Sequence, residues 1–133
     1  MKNLTLLAIE SSCDETAASV YNTTSGILSN ELFSQIELHK QFGGVMPEIA
    51  SRSHLEKIGP IVQTALEKAG KSLDDIDAIG VTTKPGLPGS LLIGVAFAKA
   101  LAYAKNKPII GVNHLEGHAF SSMIEHSVPF PHI

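Results

Sequence analysis

The sequence predicts a single α/β unit in which three meandering antiparallel strands precede strands that alternate with helices. Three observations favour this class: short apolar runs with brief polar links near the start, a change to helical periodicity at Pro47, and strand-like runs alternating with helical ones after residue 70. Such alternation implies parallel pairing through right-handed crossovers. A chain of 133 residues is long enough for one domain with a hydrophobic core.

Five strands are predicted from short apolar runs. Residues 4–10 end in polar turn formers, residues 17–21 follow, and a longer run covers 26–34 after a polar turn. The short links between these three runs favour antiparallel hairpins. Two later apolar runs, 77–83 and 108–113, are the predicted parallel strands.

Three helices are predicted between and after these strands. The first begins at Pro47, which suits an opening turn, and stops before Gly70, which suits the position after a helix end. Gly59-Pro60 in its middle is expected to kink it or to split it in two. The second covers about 90–105 and is almost wholly apolar, and the third runs from His114 to about His126. The apolar positions of the first helix are Ile49, Leu55, Ile58, Ile61, Val62, Ala65 and Leu66.

Composition and charge exclude several classes of protein. The formal net charge is −3 with no basic run, so nothing in the charge argues for nucleic-acid binding by this chain. Cys13 is the only cysteine, which rules out an internal disulfide and favours a reducing cytoplasm. The apolar run at the N-terminus is broken by Glu10 and is too short to span a membrane. We therefore expect a soluble, cytoplasmic chain without membrane association.

The stretch NHLEGH, residues 113–118, places two histidines four residues apart. On a helix, His114 and His118 lie on one face and can share a metal ion, although such a pair also occurs by chance. Zinc proteases of the zincin type have the glutamate directly after the first histidine. Glu116 is two residues on, roughly 200° around the helix, so a metal site stays possible while the protease interpretation weakens. A usable site also needs a third ligand.

The stretch IESSCDET, residues 9–16, is a polar turn between two apolar strands. A tight turn of this kind can present backbone N–H groups to a phosphate and carboxylates to a metal ion or water, and a plain hairpin turn with exposed acids is the alternative. Cys13 has no basic neighbour in sequence to activate it, so a small buried thiol is expected. The consecutive polar residues are Ser11, Ser12, Cys13, Asp14 and Glu15.

Two glycine-bearing stretches precede predicted helices. In KPGLPGSLLIG, residues 84–94, Gly86 and Gly89 would let the backbone approach a ligand beside a helix N-terminus, while close helix–strand packing explains them equally well. The loop lacks the ending of a Walker motif and the spacing of a dinucleotide fingerprint. FGGVMPEIASRSH, residues 42–54, has a Gly43-Gly44 hinge before a helix, for which a capped, solvated helix start is the simplest account.

Together, IESSCDET, GGVMPEIASRSH, PGLPGSLLIGVAFAKALA and NHLEGH, in this order and spacing, resemble the TsaD family, once labelled O-sialoglycoprotein endopeptidase. The resemblance covers residues 4 to about 131. It implies the actin, Hsp70 and sugar-kinase (ribonuclease H-like) fold, with residues 1–133 as a single N-terminal lobe and a second lobe absent. Where the family usually has Gly-Pro-Gly, this chain has Lys84-Pro85-Gly86.

The resemblance also implies an activity. The family transfers a threonylcarbamoyl group from threonylcarbamoyl-adenylate to N6 of the adenosine 3′ of the tRNA anticodon. The expected substrate is therefore an adenylate, a nucleotide related to ATP. His114 and His118 would be ligands of one divalent metal ion, iron or zinc. Asp14 and Glu15 would face the adenylate phosphate or the reacting amine as catalytic residues. Ser12, Gly86 and Gly89 would help to bind the nucleotide, and the protein partners would be TsaB and TsaE.

Two expectations concern the chain by itself, because the family's second lobe carries an aspartate that completes the metal site. We expect the isolated chain to be inactive or nearly so, and to be able to form a homodimer through exposed apolar surface. The alternatives are a metallopeptidase, as the old label suggests, or a non-catalytic scaffold like TsaB. TsaB-like chains lack the histidine pair. A carbamoyl-transferring hydrogenase maturation factor resembles less of the chain.

Overall fold

The computed structural model describes residues 2–126 and contains one five-stranded sheet in the order β3-β2-β1-β4-β5. Strands β1, β2 and β3 form an antiparallel meander, while β4 pairs in parallel with β1 and with β5. The elements are β1 Thr5–Glu10, β2 Glu15–Asn22, β3 Gly26–Ser34, α1 Ile36–Lys40, α2 Pro47–Lys68, β4 Ala78–Lys84, α3 Pro88–Lys105, β5 Ile109–Asn113 and α4 His114–Glu125.

All five strands and three helices expected from the sequence are present, and the α/β fold class is confirmed. The sequence did not predict α1 or the short 3₁₀ helix Leu73–Asp75. Of the two outcomes expected at Gly59-Pro60, a kink or a split, the split does not occur, since α2 continues through Pro60. The proline is exposed, and so is Glu56, whose carbonyl loses its helical partner and can bind water instead.

The core lies between the sheet and one helical layer, because α2 packs on β2 and β3 while α3 packs on β4 and β1. Alternation along each strand sends one set of side chains into this core, as Leu7 and Ile9 of β1 show, while Ala8 between them is exposed. Leu55, predicted to be apolar core, is 65% exposed, and His54 is fully buried in its place. None of the helices within residues 2–126 is both long and apolar enough to cross a lipid bilayer.

One hydroxyl group links the turn after β1 to two backbone groups of helix α3. Ser11 Oγ donates to the carbonyl of Ser90 at 2.8 Å and accepts from the amide of Gly94 at 3.1 Å. An undisturbed helix pairs these two backbone groups with each other. A Cβ at Gly94 would collide with Ser11 Oγ, so the glycine is required by this contact.

We predict that Gly94→Ala lowers the free energy of unfolding by about 1–3 kcal/mol, because the added methyl group overpacks the buried Ser11 contact. Gly117→Ala, in a helix where a Cβ meets nothing within 4 Å, is the matched control and should stabilise the chain by up to about 1 kcal/mol. Chemical denaturation measures both values. The double variant with Ser11→Ala should recover part of the loss, and strictly additive effects would contradict the proposed clash.

Candidate functional site

Polar side chains from the ends of three parallel strands line one cavity of about 580 Å³. Strands β1, β4 and β5 are parallel, so their carboxyl ends meet at one edge of the sheet. The turn after β1 and the start of α4 complete the wall. The lining residues are Glu10, Ser12, Cys13, Asp14, Glu15, Asn30, Thr82, Val112, Asn113, His114, Gly117, His118 and Ser121.

The predicted histidine pair lies in the first turns of α4 and points to one place. Asn113 caps this helix, its side-chain oxygen accepting from the amides of Leu115 at 2.9 Å and Glu116 at 3.4 Å. One turn apart, His114 and His118 bring their Nε2 atoms to 3.0 Å, with ring centroids 4.5 Å apart and the ring planes at 83°. The helix and the shared face predicted from the spacing are both present.

This pair fits part of a metal site. Two nitrogens that each lie 2.0–2.1 Å from a tetrahedral zinc ion are about 3.3 Å apart, close to the 3.0 Å between the two Nε2 atoms. Imidazole nitrogens also suit both iron and zinc. Within residues 2–126, no three His, Cys, Asp or Glu side chains are grouped so that they could hold a metal ion. The pair could therefore supply two ligands of a metal ion, and a complete site would need further ligands from elsewhere.

Glu10, which the sequence analysis did not select, lies beneath the histidine pair at the end of β1. Its Oε1 accepts from the amide of Ser12, and its Oε2 accepts from the hydroxyl of Thr82 and lies 3.3 Å from His114 Nδ1. Burial by itself raises the pKa of this carboxyl, but hydrogen bonds from Ser12, Thr82 and His114 outweigh burial and hold the pKa below its ordinary value. A charged residue ending an otherwise apolar strand was the available signal.

The predicted acidic turn contributes to the same cavity. Asp14 is partly buried and Glu15 is exposed, and both line the cavity that the histidines also line. The amide of Ser12 is already bonded to Glu10, while its hydroxyl lies 3.3 Å from His114 Nδ1. Cys13 is partly exposed rather than buried as expected. Burial and the nearby acids raise the pKa of its thiol, so the cysteine is a poor nucleophile.

The predicted nucleotide-binding glycines lie apart from this cavity lining. A Cβ at Gly86 would lie 2.5 Å from the carbonyl oxygen of Ser12, and one at Gly89 would lie 2.6 Å from Ser51 Oγ. The amide of Leu87 also donates to the same Ser12 carbonyl at 2.8 Å. Close packing against the turn after β1 therefore accounts for Gly86, and a role of Gly86 and Gly89 towards a nucleotide stays a prediction.

Two arrangements needed for peptide hydrolysis do not match the geometry. Glu116 is exposed and does not line the cavity that His114 and His118 face, as its position around the helix predicts. A Ser–His–Glu triad needs the serine and the carboxylate on different ring nitrogens. Here Ser12 and Glu10 both approach Nδ1 of His114.

A second, fully buried histidine fixes the turn that bears the acids. Nε2 of His54 lies 2.9 Å from the carbonyl oxygen of Cys13, and Nδ1 lies 2.7 Å from the hydroxyl of Thr16. A carbonyl oxygen only accepts, so Nε2 carries the proton and Nδ1 accepts from Thr16. Burial lowers the pKa of His54, an effect that its hydrogen bond to Cys13 only partly offsets. His54 is thus a structural histidine.

Comparison with known proteins gives close sequence relatives and more distant structural ones. The family model described as TsaD, tRNA N6-adenosine threonylcarbamoyltransferase, matches residues 26–133. Curated proteins of that description are 58% identical over 125 residues in Clostridium novyi and 57% identical over 126 residues in Clostridioides difficile. These alignments cover 94% and 95% of this chain. The chain spans 37% of the length of either relative.

Solved structures resemble the chain in fold. YeaZ from Pseudomonas aeruginosa matches with a TM-score of 0.69 and 24% identity, over 92% of this chain and 49% of YeaZ. RuvC from T. thermophilus matches with a TM-score of 0.52 and 11% identity, over 90% of this chain and 71% of RuvC. These matches agree with the ribonuclease H-like fold expected from the motifs.

We predict that His54 makes the stability of the chain depend on pH. Its pKa in the folded chain lies below the ordinary value of 6.5, so the unfolded chain takes up this proton first as the pH falls. The stabilising contribution of the neutral ring is therefore present above about pH 6.5 and is lost as the pH falls through the folded pKa. Denaturation midpoints measured from about pH 7.5 to 5 should fall accordingly.

His54→Gln should lower the free energy of unfolding by about 1–3 kcal/mol at neutral pH and make the pH dependence shallower. The exposed His126, changed to Gln, serves as control and should leave both quantities nearly unchanged. An unaltered pH slope in His54→Gln would refute the assignment.

Proposed function

The chain belongs to the TsaD family, tRNA N6-adenosine threonylcarbamoyltransferase, and from this membership we propose that it contributes one wall of such an active site. The enzyme would transfer the threonylcarbamoyl group of threonylcarbamoyl-adenylate to N6 of the adenosine 3′ of the tRNA anticodon. The observation that carries the proposal is the 3.0 Å approach of the His114 and His118 Nε2 atoms on the cavity that Asp14 and Glu15 also line.

His114 and His118 would hold one divalent metal ion, iron or zinc. When bound, such an ion supplies Lewis acidity towards an oxygen of the transferred group or of the phosphate. The two histidines fix its position at the start of α4, where the helix N-terminus also favours negative charge. A cavity of about 580 Å³ is in the size range of small-molecule sites, which suits an adenylate shared with a second wall.

An acidic residue of the turn would accept a proton from the attacking amine. In the reaction, N6 of adenosine forms a bond to the carbonyl carbon of the threonylcarbamoyl group, and the bond from that carbon to the phosphate oxygen breaks to release AMP. The N6 nitrogen loses one proton in this step. Asp14 or Glu15, both on the cavity wall, would accept it as general base.

The proposal extends to the whole protein and its setting. The chain spans 37% of its relatives' length, so the activity, the second lobe and the partners TsaB and TsaE are proposed rather than observed. The remaining metal ligand would come from that second lobe, and tRNA would be modified in the cytoplasm. The metallopeptidase alternative has less support, because Glu116 does not line the cavity that the histidine pair lines.

We predict that a chimera incorporates threonine into tRNA when residues 1–133 of this chain replace the matching segment of the Clostridium novyi relative. His114→Ala and His118→Ala should each lower the rate by at least about 100-fold, since a lost ligand costs more than the 10–100-fold typical of its hydrogen-bond partners. Radiolabelled threonine in precipitated tRNA measures the rate, with TsaB, TsaE and the enzyme that makes the adenylate supplied.

Glu116→Gln in the same chimera is the control, because a transferase does not need this exposed carboxylate. The 133-residue chain alone should show no measurable transfer, since it provides two ligands of an incomplete site. Full activity of the histidine variants, or of the chain alone, would contradict the proposal.

We also predict that the 133-residue chain forms a dimer at high concentration. Within the described residues, β5 is an edge strand whose Ile110 is 51% exposed, and Leu115 at the start of α4 is 63% exposed. An apolar edge of this kind favours pairing with a second copy. Sedimentation should show association that Ile110→Lys abolishes and that Leu92→Lys, on the exposed side of α3, leaves intact. A monomer at all concentrations would refute the prediction.

A further inference from the structure

The ring of His114 has an acceptor-only group on one side and a second imidazole on the other. Nδ1 lies 3.3 Å from Oε2 of Glu10, and Nε2 lies 3.0 Å from Nε2 of His118. An ionised carboxylate accepts hydrogen bonds and cannot donate one. The proton of a neutral His114 ring is therefore best placed on Nδ1, where it donates to Glu10, and Nε2 then presents its lone pair.

The carboxylate of Glu10 is itself held in place. The amide of Ser12 donates to Oε1, and the hydroxyl of Thr82 donates to Oε2. The side chain of Glu10 is 29% exposed and that of His114 is 31% exposed, so the pair lies partly shielded from water. With one oxygen occupied by a backbone amide, the other can only face Thr82 and the histidine. The orientation of the carboxylate is thus fixed independently of His114.

We propose that Glu10 is a positioning residue that holds His114 as the Nδ1–H tautomer, so that Nε2 is free of a proton and directed to the point shared with His118. Histidine ligands of metal ions are commonly oriented by the hydrogen bond that their second ring N–H donates to a carboxylate. Identifying that point as a metal site rests on the proposed function, whereas the tautomer itself does not.

Ser12 is the competing explanation. Its hydroxyl lies 3.3 Å from the same Nδ1 and, unlike a carboxylate, can donate as well as accept. If Ser12 donated to Nδ1, His114 would carry its proton on Nε2 instead. The two residues therefore predict opposite tautomers, and substituting each in turn separates them.

The imidazole nitrogen NMR shifts of the metal-free chain, measured at about pH 8.5, above the ordinary imidazole range, decide between the two. We expect His114 to be protonated at Nδ1 in the unsubstituted chain and in Ser12→Ala. In Glu10→Gln the amide oxygen should keep the hydrogen bond from the Ser12 amide, which leaves the NH₂ group facing Nδ1. The proton of His114 should then move to Nε2.

An unchanged Nδ1–H signal in Glu10→Gln, or a changed one in Ser12→Ala, would overturn the proposal. Circular dichroism and the denaturation midpoint establish that each variant is folded. A structural role for Glu10 alone would lower the midpoint without moving the proton.

Zinc titration of the same chains by calorimetry tests the consequence for metal binding. Glu10→Gln should weaken zinc binding by about 10–100-fold, Ser12→Ala should change it little, and His114→Ala should abolish it. Equal zinc affinity in Glu10→Gln and the unsubstituted chain would count against the proposal. If the unsubstituted chain bound no zinc, the two histidines alone would not hold the ion and the metal site would require the second lobe, while the NMR result would still decide what Glu10 does.

Discussion

The arrangement of the site depends on the docking of residues 11–12 onto helix α3 and the loop before it. The hydroxyl of Ser11 donates to the carbonyl of Ser90 and accepts from the amide of Gly94. The carbonyl of Ser12 accepts from the amide of Leu87. These contacts allow no side chain at Gly86 or Gly94. Because they fix the end of β1 to α3, they also fix the distance from the acidic turn to the strands beside it.

Once that turn is fixed, the parallel strand ends bring the chemistry together. Glu10 ends β1, Thr82 lies near the end of β4, and His114 directly follows β5, so three neighbouring strands place three polar side chains in contact. His54 from α2 secures the other side of the turn through the carbonyl of Cys13. The cavity is therefore built on rigid elements, as a site that must hold several groups in register requires.

The sequence predicts what depends on local pattern and misses what depends on contacts across the sheet. Alternation and helical spacing locate every strand and every helix except the two shortest helices. The four-residue spacing places His114 and His118 on one face. Glu10 was missed because its partner, His114, is 104 residues away. Leu55 was assigned to the core in place of His54 for a related reason: hydropathy favours leucine for the core, but the ring of His54 is buried between its hydrogen-bond partners Cys13 and Thr16. The close approach of Gly86 to the Ser12 carbonyl was also missed, because a sequence does not show whether a glycine packs against a ligand or against the backbone of a distant residue.

The contrast between the two histidines shows how one rule yields different roles. The carbonyl of Cys13 can only accept and so assigns the proton of His54, and the carboxylate of Glu10 is proposed to assign that of His114 in the same way. The other nitrogen of His54 accepts from the Thr16 hydroxyl inside the core, so that neither ring nitrogen is available to a ligand. The other nitrogen of His114 faces a second imidazole at the cavity wall. The proposal makes His114, and not His54, a metal ligand because its acceptor lies behind the ring and its second nitrogen faces a cavity.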